Sequence, residues 1–122
     1  MSKKILAVDD SASIRQMVSF TLQQAGYTVV TAVDGVDGVN KAESEAPNMI
    51  ITDLNMPNMN GIEMIREIRK KPSGKFMPIL MLTTESDDSK KAEGKQAGAT
   101  GWIVKPFNPE QLLKVTQRVM PS

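Results

Sequence analysis

The side chains of this sequence whose types and spacing suit a shared chemistry are acids, a hydroxyl and a lysine, each at the end of an apolar run. Asp9 and Asp10 follow Ile5-Leu6-Ala7-Val8, Asp53 follows Met49-Ile50-Ile51-Thr52, Thr83 follows Ile79-Leu80-Met81-Leu82, and Lys105 follows Trp102-Ile103-Val104. Singly, each has an ordinary role. Asp53 is as readily a turn former as a working group, because Asp bonds the nearby backbone. Asp9 and Asp10 can cap a helix, Thr83 can be a strand-end hydroxyl and Lys105 a solvated lysine. Brought to one place, they do something else. Three carboxylates held close repel one another, so either some protonate or a cation lies among them. Oxygen donors alone call for a hard cation, Mg2+ first, with Mn2+ or Ca2+ as alternatives. A carboxylate beside such an ion, with a hydroxyl and an ammonium reaching the same point, suits phosphoryl transfer, where the protein mainly positions groups and neutralises charge. Asp53 is the candidate nucleophile, forming an aspartyl phosphate.

Whether these residues meet depends on the elements that carry them. Ile5-Leu6-Ala7-Val8 is a continuous apolar run, the pattern of a strand buried on both faces. Ile14, Met17, Val18, Leu22 and Ala25 then follow the period of a helix that Gly26 stops. Residues 27–32 are rich in β-branched side chains and read as a second strand, turned by Asp34-Gly35. Val36, Val39, Ala42 and Ala46 form a weaker helical stripe ended by Pro47. A third strand leads to Asp53. Gly61, Met64, Ile65 and Ile68 share a helical face, and residues 70–75 make a polar loop. The fourth strand is 79–83. Residues 87–97 should be helical but offer only Ala92 and Ala97 as apolar contacts and carry Gly94 inside, so that helix is expected to be loosely held. The fifth strand is 102–104. A last helix starts at a capping Asn108 with Pro109 behind it and buries Leu112, Val115, Thr116 and Val119.

Strand and helix thus alternate five times, which implies an α/β fold with a parallel sheet and helices on both faces. In such sheets the ligand site lies at the carboxyl ends of the strands, where the strand order switches direction. A parallel sheet brings Asp9, Asp10, Asp53, Thr83 and Lys105 to that single edge.

Composition removes other chemistries. The sequence has no Cys and no His, which excludes disulfides, thiol nucleophiles, the usual zinc sites and histidine acid–base catalysis. Lacking His, the chain cannot itself be a phosphohistidine donor. Its 15 basic and 14 acidic residues nearly cancel, and no basic stripe marks a nucleic-acid or membrane surface. With 40% apolar and 4% aromatic residues the interior must be aliphatic, nine Met filling gaps. The apolar run near the N-terminus is too short for a signal-peptide core, and no stretch reaches membrane-spanning length. At 122 residues the expectation is one domain over 1–122 with no output domain, monomeric and cytoplasmic.

The set Val8-Asp9-Asp10, Asp53 followed by Met56-Pro57 and Gly61, Thr83, and Lys105-Pro106-Phe107 resembles the receiver domain of bacterial two-component response regulators. The resemblance covers essentially the whole chain. Within that family Asp53-Leu54-Asn55-Met56-Pro57-Asn58-Met59-Asn60-Gly61 is similar to the single-domain chemotaxis receivers of the CheY type. The resemblance implies a doubly wound, flavodoxin/CheY-like sheet of order 2-1-3-4-5. It implies Mg2+ at Asp9, Asp10, Asp53 and the backbone carbonyl of Asn55, and a phosphoryl group accepted on Asp53. Lys105 and Thr83 would hold that group, beside a cis Lys105-Pro106 peptide. Asn55 and Glu85 would tune its hydrolysis, and Trp102 would stand at the aromatic switch position.

The implied partners are a histidine kinase of the CheA type as phosphodonor and a downstream protein target such as the flagellar motor switch, with a phosphatase as a further candidate. The chain would be a signalling phosphoacceptor that promotes only its own phosphorylation and dephosphorylation, not an enzyme. A phosphate sink or relay outside motility is the alternative. Two positions depart from the pattern. Trp102 stands where Tyr or Phe is usual, which leaves the plain role of an interface aromatic open. Asp87 and Asp88, with Lys90 and Lys91 following, stand where switch-binding relatives carry lysines, and reversed charge at a docking rim can exclude a partner.

Two other classes fit less well. A metal-dependent aspartyl-phosphate phosphatase of the haloacid dehalogenase type wants Asp-x-Asp after its first strand, whereas these acids are adjacent. A flavodoxin-like electron carrier wants a hydroxyl- and glycine-rich phosphate loop there, and Asp10-Ser11-Ala12-Ser13 puts an acid where the flavin phosphate would lie.

Overall fold

In the computed structural model, which describes residues 3–84 and 88–120, five parallel strands form one sheet of order β2-β1-β3-β4-β5. In chain order the elements are β1 (Lys4–Val8), α1 (Ala12–Gln24), β2 (Thr28–Ala32), α2 (Gly35–Glu45), β3 (Met49–Thr52), α3 (Gly61–Arg69), a 3-10 turn at Pro72–Gly74, β4 (Ile79–Thr83), α4 (Asp88–Ala97), β5 (Gly101–Val104) and α5 (Pro109–Val119). The parallel α/β sheet expected from the alternation forms, in the doubly wound order 2-1-3-4-5 that the resemblance implies.

The apolar runs make strands because both faces of the sheet are covered, so successive side chains all need to be apolar. Leu6, Val8, Ile50 and Met81 face a core completed by Ala42 of α2, Ile62, Ile65 and Ile68 of α3 and Ala97 of α4. Ile5, Ala7, Ile51, Leu80 and Leu82 face the opposite core with Val18 and Leu22 of α1 and Leu112 of α5. Each fully buried Ile or Leu contributes about 1.5–3 kcal/mol relative to exposure. A one-residue slip would turn every such pair inside out, so burial fixes the register. That register sets Val8 opposite Thr52 and Thr83 opposite Val104. Asp9 and Asp53 therefore leave the sheet at one level.

Four helices begin on side-chain caps at the same edge: Ser11 accepts from the Ile14 amide, Asp34 from Asp37, Asn60 from Glu63 and Asn108 from Gln111. At Asn60 the Glu63 carboxylate also returns to the cap amide, a capping box. The sheet direction changes between β1 and β3, which opens the edge where Asp9 and Asp53 emerge.

Several expectations need correction. Val36 lies 43% exposed; α2 instead buries Gly35, Gly38 and Ala42, because glycines let it sit close against β1 and the β3–α3 loop. A Cβ at Gly38 would meet Met64 Sδ at 2.6 Å. Ala46 is not in the helix but takes the left-handed cap position at φ 47°. Ala92 is exposed, and α4 buries Gly94 and Ala97. Gly94 is a packing position: a Cβ there would fall 2.7 Å from Cζ3 of Trp102, so the indole covers the helix where a side chain would otherwise stand. Trp102 packs against the α2–α3–α4 core.

Candidate functional site

The three acids expected to share a site do so. Carboxylate oxygens of Asp9, Asp10 and Asp53 all lie within 4.8 Å of one another. Asp9 and Asp53 are buried and Asp10 is exposed, so the cluster has one open side. Backbone pairing sets their positions: the Asp9 amide donates to Ala32 O at 3.1 Å and the Asp53 amide to Val8 O at 2.9 Å, extending the ladder just past each strand.

Each buried acid is also held by its side chain. Asp9 Oδ1 accepts from the Ser11 amide at 2.9 Å, and Asp53 Oδ1 accepts from the Leu54 amide at 2.8 Å. Lys105 reaches in from the end of β5. Its Nζ lies 3.1 Å from Asp9 Oδ2 and 3.6 Å from Asp53 Oδ1, and the Lys105-Pro106 peptide is cis. The Lys105 amide donates to Thr83 O at 2.7 Å, so Thr83 and Lys105 are backbone neighbours where β4 and β5 end. Thr83 is fully buried.

The charges do not balance. Three carboxylates face one ammonium, and Asp53 has its pKa raised above its ordinary value of 3.8. Burial is the largest cause; Lys105 opposes it, Asp9 and Asp10 add to it, and the Leu54 amide works with Lys105. The donor set is oxygen only and its carboxylates outnumber the cations beside them, which fits a hard divalent cation.

Gly61 packs against the backbone of Asp53. Its amide donates to Leu54 O at 2.8 Å, and a Cβ at Gly61 would overlap the Asp53 carbonyl oxygen. Asn55 is exposed on the β3–α3 loop. Trp102 stands apart from the acids, lining a cavity of about 280 Å³ with Lys91, Lys95, Ala99, Thr100 and Val104. Glu85 and Asp87 lie outside the described residues, whereas Asp88 opens α4.

Arg15 was not among the expected site residues. Its guanidinium donates to Asp9 O at 2.7 Å and brings a second cation close to the cluster from the first turns of α1. The available signal was an Arg one turn beyond the Ser11 cap. It is faint, because nothing in the sequence says which way that side chain turns.

Comparisons with known proteins bear on this geometry. The family described as "Response regulator receiver domain" matches residues 5–117. The chain is 41% identical over 112 residues to the alkaline phosphatase synthesis transcriptional regulatory protein PhoP of Bacillus subtilis, covering 92% of this chain and 46% of that protein. It is 34% identical over 120 residues to the phosphate regulon transcriptional regulatory protein PhoB of Escherichia coli, covering 98% and 52%. The chain thus spans about half the length of these curated relatives. Among solved structures, the chemotaxis protein CheY4 of Vibrio cholerae has a TM-score of 0.94 at 59% identity, covering 98% of this chain and 99% of that one. The receiver domain of the sensor histidine kinase PA1611 from Pseudomonas aeruginosa, solved with a magnesium ion coordinated in its active site cleft, has a TM-score of 0.92 at 30% identity, covering 100% of each chain.

Proposed function

The chain belongs to the response regulator receiver family, and from that premise we propose that it is a phosphorylation-activated signalling module whose phosphoacceptor is Asp53. Receiver domains take a phosphoryl group from histidine kinases and act on downstream targets. The single observation that carries the reading is the Lys105 ammonium set between Asp9 and Asp53 at the edge where Asp10 also arrives. A carboxylate oxygen of Asp53 attacks the phosphorus of a kinase phosphohistidine; the new O–P bond replaces the N–P bond, and the imidazole leaves. Lys105 and the Thr83 hydroxyl hold the phosphoryl oxygens. Asp9, Asp10, Asp53 and the Asn55 carbonyl would hold a divalent cation, Mg2+ or alternatively Mn2+. Such an ion would supply charge neutralisation for the phosphoryl oxygens. Asn55 and Glu85 tune how long the phosphoryl group persists.

The output is a change in the α4–β5–α5 face. Thr83 moves toward the phosphoryl group and Trp102 turns, a shift between two populated states. The likeness to the chemotaxis protein CheY4 over nearly the whole of both chains supports a chemotaxis regulator in the cytoplasm. Its phosphodonor is then a CheA-type kinase and its target the flagellar motor switch, with a phosphatase as a further partner. The second reading, a phosphoryl sink or relay outside motility, is favoured by Asp88 in the first turn of α4, an acid at the docking rim.

Because Trp102 is the only Trp, its fluorescence reports on the switch. Mg2+ followed by acetyl phosphate should change the emission of the wild type and leave Asp53→Asn unchanged. A variant that responds as the wild type does would remove Asp53 from the role. Affinity capture with and without a stable phosphoryl mimic separates the two readings: recovery of flagellar switch protein only with the mimic supports chemotaxis, and another target sinks it.

A further inference from the structure

The β3–α3 loop carries both Asp53 and Asn55, yet the contacts that hold its middle come from a different element. Asn58 sits at φ 68°, in the left-handed region, and its Nδ2 donates to Asp34 Oδ2 at 2.7 Å. One residue on, Met59 O accepts from the Gly35 amide at 3.1 Å. Gly35 is required there, since a Cβ would overlap that same Met59 oxygen.

Asp34 is itself fixed before it meets the loop. Its Oδ1 caps α2 by accepting from the Asp37 amide at 2.8 Å, and Asp37 Oδ2 answers by accepting from the Val33 amide at 3.0 Å. The two oxygens of Asp34 thus serve two elements, one holding the helix and the other the loop. The Asp37 amide first and Asn58 second hold its pKa below the ordinary 3.8. The loop is also tied to itself: Met59 N donates to Pro57 O at 2.7 Å, across Asn58, and Gly61 N donates to Leu54 O at 2.8 Å, drawing its two ends together.

We propose that Asp34 is a positioning residue: with Asn58 it clasps the β3–α3 loop to the start of α2 and so holds the Asn55 carbonyl over the acidic cluster, setting affinity for the divalent cation without touching it. This rests on the reading of Asp9, Asp10, Asp53 and Asn55 as the cation site. Residues that orient metal ligands from outside the coordination sphere typically change affinity 10–100-fold when replaced. An exposed bond such as this one belongs at the low end.

The test uses variants that cut the clasp from each side and spare the cap. In Asp34→Ser the hydroxyl still caps α2 but is too short to serve Asn58 as well. In Asn58→Gly the left-handed backbone is kept and the amide is removed. Asp34→Asn is the conservative variant, since it retains the cap and can pair with a flipped Asn58 amide. Mg2+ binding measured by titration calorimetry should weaken about tenfold in Asp34→Ser and in Asn58→Gly. The double variant should weaken by no more than either one, because both remove one bond. Asp34→Asn should stay within about twofold of wild type. In the metal-free protein the Gly35 amide, which donates to Met59 O, should exchange faster in both single variants. Unchanged Mg2+ affinity in Asp34→Ser and Asn58→Gly, or a double variant weakened by the product of the two, overturns the clasp alone. Absence of Mg2+ binding by the wild type, or wild-type binding by Asp10→Asn, overturns the cation reading and the clasp with it.

Discussion

Replacing Asp53 by Asn should make the metal-free protein more stable at neutral pH. At an effective dielectric of about 20, two unit charges 4.8 Å apart, the upper limit for the carboxylate oxygens here, interact by about 3.5 kcal/mol. Asp9 and Asp10 each repel Asp53 on that scale, and the exposure of Asp10 reduces its share by roughly half. Lys105 at 3.6 Å attracts by about 4.6 kcal/mol on the same basis. Repulsion and attraction nearly cancel, and removal of the Asp53 carboxylate from water decides the sign against the ionised form. The amide of the variant keeps an oxygen for the Leu54 N–H, so the gain should be about 2 kcal/mol at pH 7.

The pH dependence follows from the direction of the shift. With the folded-state pKa of Asp53 above 3.8, the native protein holds more protons than the unfolded chain between the two values. The penalty is absent below the unfolded value and complete above the folded one, so stability falls as pH rises through that window. Urea unfolding in EDTA at a series of pH values should therefore show Asp53→Asn ahead at pH 7 by about 2 kcal/mol, and the gap closing toward pH 3.8. Mg2+ at about 100 times its Kd should return about 2.7 kcal/mol to the wild type and far less to the variant. A variant less stable than wild type at pH 7, or a gap that does not move with pH, would show that the cluster is not the source of strain.

Two further outcomes test neighbouring parts of the structure. Lys105→Met removes the cation beside Asp9 and Asp53, so metal-free stability at pH 7 should fall by about 3–5 kcal/mol, as expected when one partner of a buried pair is lost. The loss should shrink as the acids protonate, and an equal loss at pH 4 and pH 7 by chemical denaturation would count against it. Gly94→Ala gains about 1 kcal/mol of helix propensity but forces the Trp102 ring aside at a net loss of about 1 kcal/mol. Its Trp emission should change even without phosphorylation, and an unmoved spectrum would mean the indole does not rest on α4.

Much of this architecture can be read without coordinates because period and punctuation are local. The apolar run 79–82 closed by Thr83 becomes β4 with those ends, and Asn108-Pro109 starts α5 where a cap and a first-turn proline should. The acids and the lysine could be predicted to converge because a parallel sheet sends every strand's carboxyl end to one edge. Packing between elements is another matter. Val36 fits the apolar stripe of α2 but is exposed, because Gly35 and Gly38 bring that helix too close to its neighbours for anything larger on the buried side. Gly94 looks like a weakness in α4 and is the seat of Trp102, a residue from another element. Arg15 and Asp34 look like an ordinary helical cation and an ordinary cap. Only the fold brings Arg15 to the Asp9 carbonyl and Asp34 to Asn58, 24 residues away. Side-chain type and local period determine which groups reach the sheet edge; which neighbours hold them there depends on contacts between distant elements, and those exist only once the chain has packed.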